Sequence, residues 1–71
     1  MVNANKLKGR LVEKGYTQAD AASYLGIAQP TFNQKINNIR PMDLDEAEKL
    51  AEFLDITHEE FPGFFLYRPV A

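Results

Sequence analysis

Two short helical segments lie only three residues apart in this chain, and that spacing leaves few folds open to it. The first segment begins at Thr17, whose hydroxyl can cap a helix and which forms a shortened capping box with Asp20. It ends at Gly26, because glycine readily adopts the left-handed backbone of a helix C-terminus. The second segment starts near Pro30, since proline fits a first helical turn, where its missing N–H is not needed.

The second segment covers about residues 29–37 and places Phe32 and Ile36 four positions apart, on one face of a helix. The small residues Ala21 and Ala22 on the preceding helix allow a close approach. Two helices joined by a tight turn that contains glycine form a helix-turn-helix pattern.

Three further helical segments are predicted outside this pair. The first covers about residues 5–14, with Leu7, Leu11 and Val12 on its buried face, and ends at Gly15. Because all five segments are helical and no strand pattern appears, the sequence predicts an all-α domain.

Asp43 is the expected cap of a fourth helix, with Glu46 at the capping-box position. A buried stripe follows in that helix, made of Leu44, Ala47, Leu50, Ala51 and Leu54. Thr57 and Glu60 repeat the capping signature, so they predict a very short fifth helix that the Pro-Gly pair at residues 62–63 breaks.

The chain has 71 residues, enough for one domain around one hydrophobic core. It contains no cysteine, which excludes a disulfide and a thiolate metal site, and its one histidine forms no convincing Ser–His–acid set in so short a chain. We therefore expect neither an enzyme nor a cofactor. Since no apolar signal segment or membrane-length run is visible, we expect a cytoplasmic protein without a membrane partner.

The net charge of −2 is unevenly distributed along the chain. Residues 1–42 carry six basic and two acidic side chains, whereas residues 43–71 carry two basic and eight acidic ones. Such asymmetry indicates one surface for an anionic partner and another that repels it. The acidic half lacks the pattern of a calcium loop. We interpret it as helix caps and a solvated helix face, or as a surface that docks on a basic protein.

The stretch from Thr17 to Phe32 resembles the Thr-Gln…Ala…Leu-Gly-Val-Ser…Thr-Ile core of the Cro and lambda-repressor (XRE) family. Residues 33–41 are similar to the Ser-Arg-Lys-Leu-Asn-Gly-Lys-Arg-Pro ending of that core. Residues 44–60 resemble the family's fourth helix and the turn after it, so the resemblance covers about residues 5–61.

The resemblance implies that the third helix lies in the major groove of DNA. It would present four side chains there: Gln29, Pro30, Asn33 and Gln34. Amides suit this role because Asn or Gln can pair with the N6 and N7 atoms of adenine. Gln18 matches the family position that holds a phosphate at a helix N-terminus, while Lys6 and Arg10 would add charge. The family's backbone contacts after the third helix correspond to Lys35, Asn37, Asn38 and Arg40.

Three residues depart from the family pattern. Pro30 cannot donate a hydrogen bond at its base-facing position. Ala28 lacks the oxygen of the usual capping Ser or Thr, which costs the third helix about 1 kcal/mol. Asn38 replaces the usual glycine, although Asn tolerates left-handed backbone. With Lys35 and Arg40 as the cations near the third helix, we expect weak DNA binding at physiological salt.

The resemblance implies a five-helix lambda-repressor-like helix-turn-helix domain. We expect this domain to cover residues 1–63 and residues 64–71 to form a short apolar C-terminal tail. The apolar run of the tail consists of Phe64, Phe65, Leu66 and Tyr67. Either the first two rings fold back over the small core, or the run forms an exposed strip that contacts a second copy or another protein. We expect the exposed strip, because an apolar patch on the surface of a small protein commonly marks an interaction site.

The resemblance implies a small Cro-like transcriptional regulator that binds double-stranded operator DNA, in a temperate-phage lysis–lysogeny switch. A homodimer would place two third helices about 34 Å apart, one turn of DNA. The alternative is an antirepressor, or modulator of repression, that binds the cognate phage repressor rather than DNA alone. The net acidity, the few cations and the apolar tail favour this alternative.

Overall fold

The structure, a computed structural model, describes residues 1–66 and folds them into five helices. These are α1 (Ala4–Lys14), α2 (Gln18–Leu25), α3 (Gln29–Ile36), α4 (Leu44–Phe53) and α5 (Phe61–Phe65). No strand occurs within residues 1–66, and none of the helices there is long and apolar enough to cross a membrane. The expected all-α architecture with five helices is confirmed.

α2 and α4 begin, and α1 and α2 end, at the capping residues that the sequence indicates. Thr17 accepts a hydrogen bond from the Asp20 N–H, and the Asp20 carboxylate accepts one from the Thr17 N–H, so the capping box is complete. Asp43 and Glu46 form the same reciprocal pair at the start of α4. Gly26 ends α2 with left-handed backbone, at φ 72°. The expected bounds of α1, α2 and α3 are therefore correct to within one residue.

The apolar face of α3 lies in the centre of the domain. Phe32 and Ile36 are fully buried, and so are Ala21 and Ala22 of the neighbouring α2. Because those alanines are small, α2 and α3 can pack closely. Leu50 of α4, which packs against α2, is also fully buried. Burial of one face of α3 directs its opposite, polar face outward.

One residue that we expected in the core is exposed. Val12 is 79% exposed, whereas Leu7 and Leu11 are buried. Successive residues of a helix turn by about 100° around its axis, so Val12 leaves the face that Leu7 and Leu11 share. The expectation that Val12 is buried is wrong.

The fifth helix continues through the Pro-Gly pair that we expected to break it. α5 runs over Phe61–Phe65 and has Pro62 in its first turn, where a helix does not need the missing N–H. The capping signature does form in the preceding turn. The Thr57 hydroxyl accepts from the Glu60 N–H, and the Glu60 carboxylate accepts from the Thr57 N–H.

Phe64 and Phe65 belong to the hydrophobic core. They are 4% and 0% exposed and lie on α5, which packs against α1. The expected exposed strip is therefore wrong for these two residues, and the fold-back alternative holds for them. Leu66 is 52% exposed, and Tyr67 lies outside the described residues. The expected boundary of the tail falls inside α5.

Arg10 joins α1 to the turn between α4 and α5. Its guanidinium donates to the carbonyl oxygens of Leu54 (3.1 Å) and Asp55 (3.3 Å). It also donates to the Glu60 carboxylate (2.9 Å) and lies 5.0 Å from the centre of the Phe64 ring. These contacts use the charge of Arg10 within the domain, which argues against a contribution of that charge to a partner.

The substitution Arg10→Ala should lower the free energy of unfolding by about 1–3 kcal/mol, because it leaves the two carbonyl oxygens without their donor. Urea unfolding followed by circular dichroism measures this loss. Arg40→Ala is the matched control, since Arg40 is exposed and forms no hydrogen bond or ion pair through its side chain with residues 1–66. We expect it to change stability by less than about 0.5 kcal/mol. Equal losses in the two variants would contradict the role of Arg10.

The same turn predicts a dependence of stability on pH. The Thr57 N–H and, to a lesser extent, the Arg10 guanidinium lower the pKa of Glu60, while partial desolvation opposes them. A lowered pKa stabilises the fold above the ordinary glutamate value of 4.5 and ceases to do so as the pH falls through the folded pKa. Urea unfolding at a series of pH values should therefore give a steeper acid loss for the wild type than for Glu60→Gln. Identical profiles would refute this expectation.

Candidate nucleic-acid interface

The four side chains predicted to contact bases lie together on the outer face of α3. Each is exposed, and together they line one shallow concave surface: Gln29, Pro30, Asn33 and Gln34. They share one side of the helix because positions three and four apart are neighbours on a helix surface. This side points away from Phe32 and Ile36, which are buried in the core. The α3 face, as we call these four residues, is thus free to meet a partner.

Gln18, the first residue of α2, is attached to the α3 face through Asn33. The side-chain N–H of Asn33 donates to Gln18 Oε1 over 3.0 Å. This bond places Gln18, which is predicted to contact a phosphate, beside Asn33, which is predicted to contact a base. It leaves Gln18 Nε2 as a donor and Asn33 Oδ1 as an acceptor, neither hydrogen-bonded within residues 1–66.

Lys8 is a cation that our sequence analysis missed. Its ammonium donates to Asn37 Oδ1 over 2.7 Å, and Asn37 Nδ2 donates in turn to the carbonyl oxygen of Asn33 over 2.8 Å. Asn37 therefore holds Lys8 at the end of α3. Helical periodicity could not place Lys8 near α3. Its position depends on the tertiary contact between α1 and the end of α3, which joins residues 29 positions apart.

Asn38 and Arg40, both predicted to contact the DNA backbone, differ in how the structure uses them. The Asn38 side chain accepts from the Val2 N–H (2.7 Å) and donates to the Val2 carbonyl (2.9 Å). Its backbone is left-handed, at φ 63°, as the replacement of glycine predicts. Arg40 is exposed, and its backbone N–H donates to the Gln34 carbonyl, which keeps it next to the end of α3.

Lys35 is paired with an acidic residue of α4. Its ammonium lies 2.7 and 2.8 Å from the two carboxylate oxygens of Glu46, and each side chain is 16% exposed. A phosphate contact from Lys35 would require this half-buried pair to break. The pair therefore argues against a phosphate contact from Lys35, and it ties the end of α3 to the start of α4.

The charge beside the α3 face is modest. Within residues 1–66 the cations adjoining it are Lys8 and Arg40, and the Asp20 carboxylate in the first turn of α2 offsets the partial positive charge of that helix N-terminus. No group of three or more His, Asp or Glu side chains in the described part of the chain could hold a metal ion. Amide hydrogen bonding with limited charge neutralisation is the chemistry that this surface offers.

A comparison with protein families gives one match. The family model described as helix-turn-helix matches residues 7–61, which include α2, α3 and α4 in full. No curated protein and no solved structure matches the chain. The matched range agrees with the extent of the pattern read from the residues.

Lys35→Met should lower the free energy of unfolding by about 1–3 kcal/mol, because Glu46 would keep a half-buried charge without its partner. Lys49→Met is the matched control, since the Lys49–Asp45 pair is 54% and 77% exposed and an exposed pair contributes at most about 0.5–1 kcal/mol. Urea unfolding of both variants provides the comparison. A Lys35→Met variant as stable as the control would show that the pair does not fasten α3 to α4.

Proposed function

The chain belongs to the helix-turn-helix family, of the Cro and lambda-repressor (XRE) type, and we propose that it regulates transcription by binding operator DNA through α3. The family consists of DNA-binding regulatory domains. The observation that supports the proposal best is the outward orientation of three amide side chains on the α3 face. Amides in that position are suited to reading base edges, because each can both donate and accept.

In the proposed complex, α3 enters the major groove and its outer face meets the bases. Gln29 and Gln34 keep both amide atoms unbonded within residues 1–66, so each can pair with the N6 and N7 atoms of adenine. Asn33 keeps Oδ1 and the second N–H of Nδ2 unbonded within residues 1–66, so it can accept from the N6 of adenine or the N4 of cytosine, or donate to a base acceptor. Pro30 offers an apolar contact for a thymine methyl group.

Gln18 binds one backbone phosphate in this complex through its side-chain Nε2 and its backbone N–H, which has no partner inside the helix. The Asp20 carboxylate in the same turn weakens this contact. Lys8 and Arg40 neutralise phosphates on either side, and Asn37 positions Lys8. Lys35 and Asn38 take no part, since their side chains are bonded to Glu46 and Val2.

Two copies bound to a two-fold symmetric operator would compensate for the small number of cations. A domain that neutralises few phosphates binds weakly at physiological salt, and a second copy doubles the contacts. The two α3 helices would lie about 34 Å apart, one turn of DNA. The setting that the resemblance to Cro suggests is a temperate-phage switch in the cytoplasm of a bacterial host.

A second candidate function is supported by the pairing of Lys35 with Glu46, which leaves little positive charge beside α3. A polar surface with little positive charge can bind a protein instead of DNA. In that case the chain acts as an antirepressor, or modulator of repression, and contacts the cognate repressor through the α3 face or the acidic surface of α4.

Base reading by Asn33 is tested on duplexes that the wild-type chain selects from a random-sequence pool. By fluorescence anisotropy, Asn33→Ala should bind the selected duplex about 1–3 kcal/mol more weakly, because the hydrogen bond to a base edge is lost. Binding to an unrelated duplex should change little. Asn5→Ala removes the same side chain from an exposed position of α1 and should leave both affinities unchanged. If no sequence is enriched, or if Asn33→Ala weakens both duplexes equally, base reading by α3 is refuted.

Phosphate neutralisation by Arg40 is tested by the salt dependence of binding to the selected duplex. Arg40→Ala should reduce the slope of log K against log salt by about one, because one fewer counterion is released. Lys49→Ala, which removes a cation from α4, should leave the slope unchanged. Equal slopes in the wild type and Arg40→Ala would remove Arg40 from the interface.

The second candidate is distinguished by mixing the chain with the cognate repressor and with promoter DNA, separately and together, in one gel-shift series. Stable association with the repressor, without binding to DNA alone, would favour the antirepressor. Failure to associate with the repressor at micromolar concentration would exclude it.

A further inference from the structure

Three aromatic rings from different parts of the chain form one exposed surface away from the α3 face. Tyr16, which follows α1, and Tyr24 of α2 lie on either side of Phe53 of α4. The ring centres are 4.3 Å apart for Tyr16–Phe53 and 4.7 Å apart for Tyr24–Phe53, with interplanar angles of 30° and 32°. Tyr16 remains 39% exposed and Tyr24 45% exposed. The faces and edges of these rings are therefore accessible to a partner.

The rings belong to a shallow pocket that also contains unused hydrogen-bond acceptors. Its lining consists of Gly15, Tyr16, Asp20, Ser23, Tyr24 and Phe53. One carboxylate oxygen of Asp20 accepts from the Thr17 N–H over 2.8 Å. The other oxygen of Asp20, the two phenol hydroxyls and the Ser23 hydroxyl form no hydrogen bond within residues 1–66.

The chemistry of this pocket favours a cation. Aromatic faces carry negative quadrupole charge and attract an ammonium or a guanidinium, and the Asp20 carboxylate adds a full negative charge. The same charge repels phosphate, so DNA is not a suitable ligand. The chain already pairs cations with a ring elsewhere, since Lys6 and Arg10 lie 4.7 and 5.0 Å from the centre of the Phe64 ring.

We propose that this aromatic pocket binds an arginine side chain from a basic segment of another protein. A planar guanidinium can stack on a tyrosine ring while its N–H groups donate to the Asp20 carboxylate and the phenol hydroxyls, a combination that a lysine ammonium cannot match. The pocket shares no residue with the α3 face or Gln18. The proposal therefore does not depend on DNA binding, and the two are tested separately.

The size and charge of the pocket favour such an anchor over a second copy of the chain. Six residues provide far less contact area than the roughly 1,200 Å² of a stable protein–protein interface. A two-fold contact between two such pockets would also bring the Asp20 carboxylates of both copies together, at an electrostatic cost. A single inserted side chain suits the pocket on both counts.

The test is an NMR titration of the full-length ¹⁵N-labelled chain with the peptide acetyl-Gly-Arg-Gly-amide. We expect saturable shifts at the amides of Gly15, Asp20 and Ser23. The matched probe contains citrulline, which has nearly the same shape as arginine but no charge, and should bind roughly threefold or more weakly. Equal binding of the two peptides, or shifts confined to other residues, would overturn the proposal.

Variants of the exposed ring test the same site. Tyr24→Ser should weaken arginine-peptide binding roughly threefold or more, because one ring face is lost, while Tyr24→Phe should retain most of it. Ile39→Ser, which changes a side chain that is 70% exposed outside the pocket, should have no effect. Unchanged binding in Tyr24→Ser would refute the proposal. If Tyr24→Ser folds poorly, the proposal is tested instead by comparing the arginine and citrulline peptides on the wild-type chain. Self-association in sedimentation that Tyr24→Ser abolishes would assign the pocket to a second copy instead.

Discussion

The burial of Phe32 and Ile36 determines how the functional surface of this domain is arranged. α3 has only eight residues, and an isolated helix of that length is unstable in water. It therefore owes its conformation to docking, which Ala21 and Ala22 permit because they let α2 come close. Once Phe32 and Ile36 are fixed in the core, Asn33 and Gln34 between them face outward, while Lys35 is held against α4 by Glu46. The chain thus presents amides to a partner as a direct consequence of its packing.

Much of the positive charge of the domain is used for internal contacts. Arg10 holds the turn after α4, Lys14 pairs with Asp55, and Lys35 is held by a carboxylate of α4. These pairs connect elements that are distant in sequence, which matters for a core of this size. They also leave the α3 face with little net charge. Non-specific DNA affinity comes mainly from neutralising phosphates and releasing their counterions. A domain that binds mainly through amides and in pairs would therefore bind unrelated DNA weakly.

The sequence predicts the helix bounds well because their causes are local. Capping residues and left-handed glycines act over three or four positions and can be read directly. Val12 is apolar but lies about 100° beyond Leu11 around the helix, so the four-residue spacing of Leu7 and Leu11, and not apolar character alone, marks the buried face. Phe64 and Phe65 were misplaced because a Pro-Gly pair suggests a break, although proline is equally suited to a first turn. The outward face of α3 was predictable from periodicity, whereas the pairing of Lys35 with Glu46, eleven positions away, depends on tertiary docking.

The attachment of Val2 to Asn38 has a practical consequence for anyone preparing this protein. Two hydrogen bonds hold the first residues against the loop that follows α3, and Val2 is 3% exposed. A purification tag fused ahead of Met1 would therefore lie next to the loop after α3, which contains Asn38 and Arg40. Its charge and bulk would then alter any affinity measured for the neighbouring surface, so recombinant material should have such an extension cleaved before use.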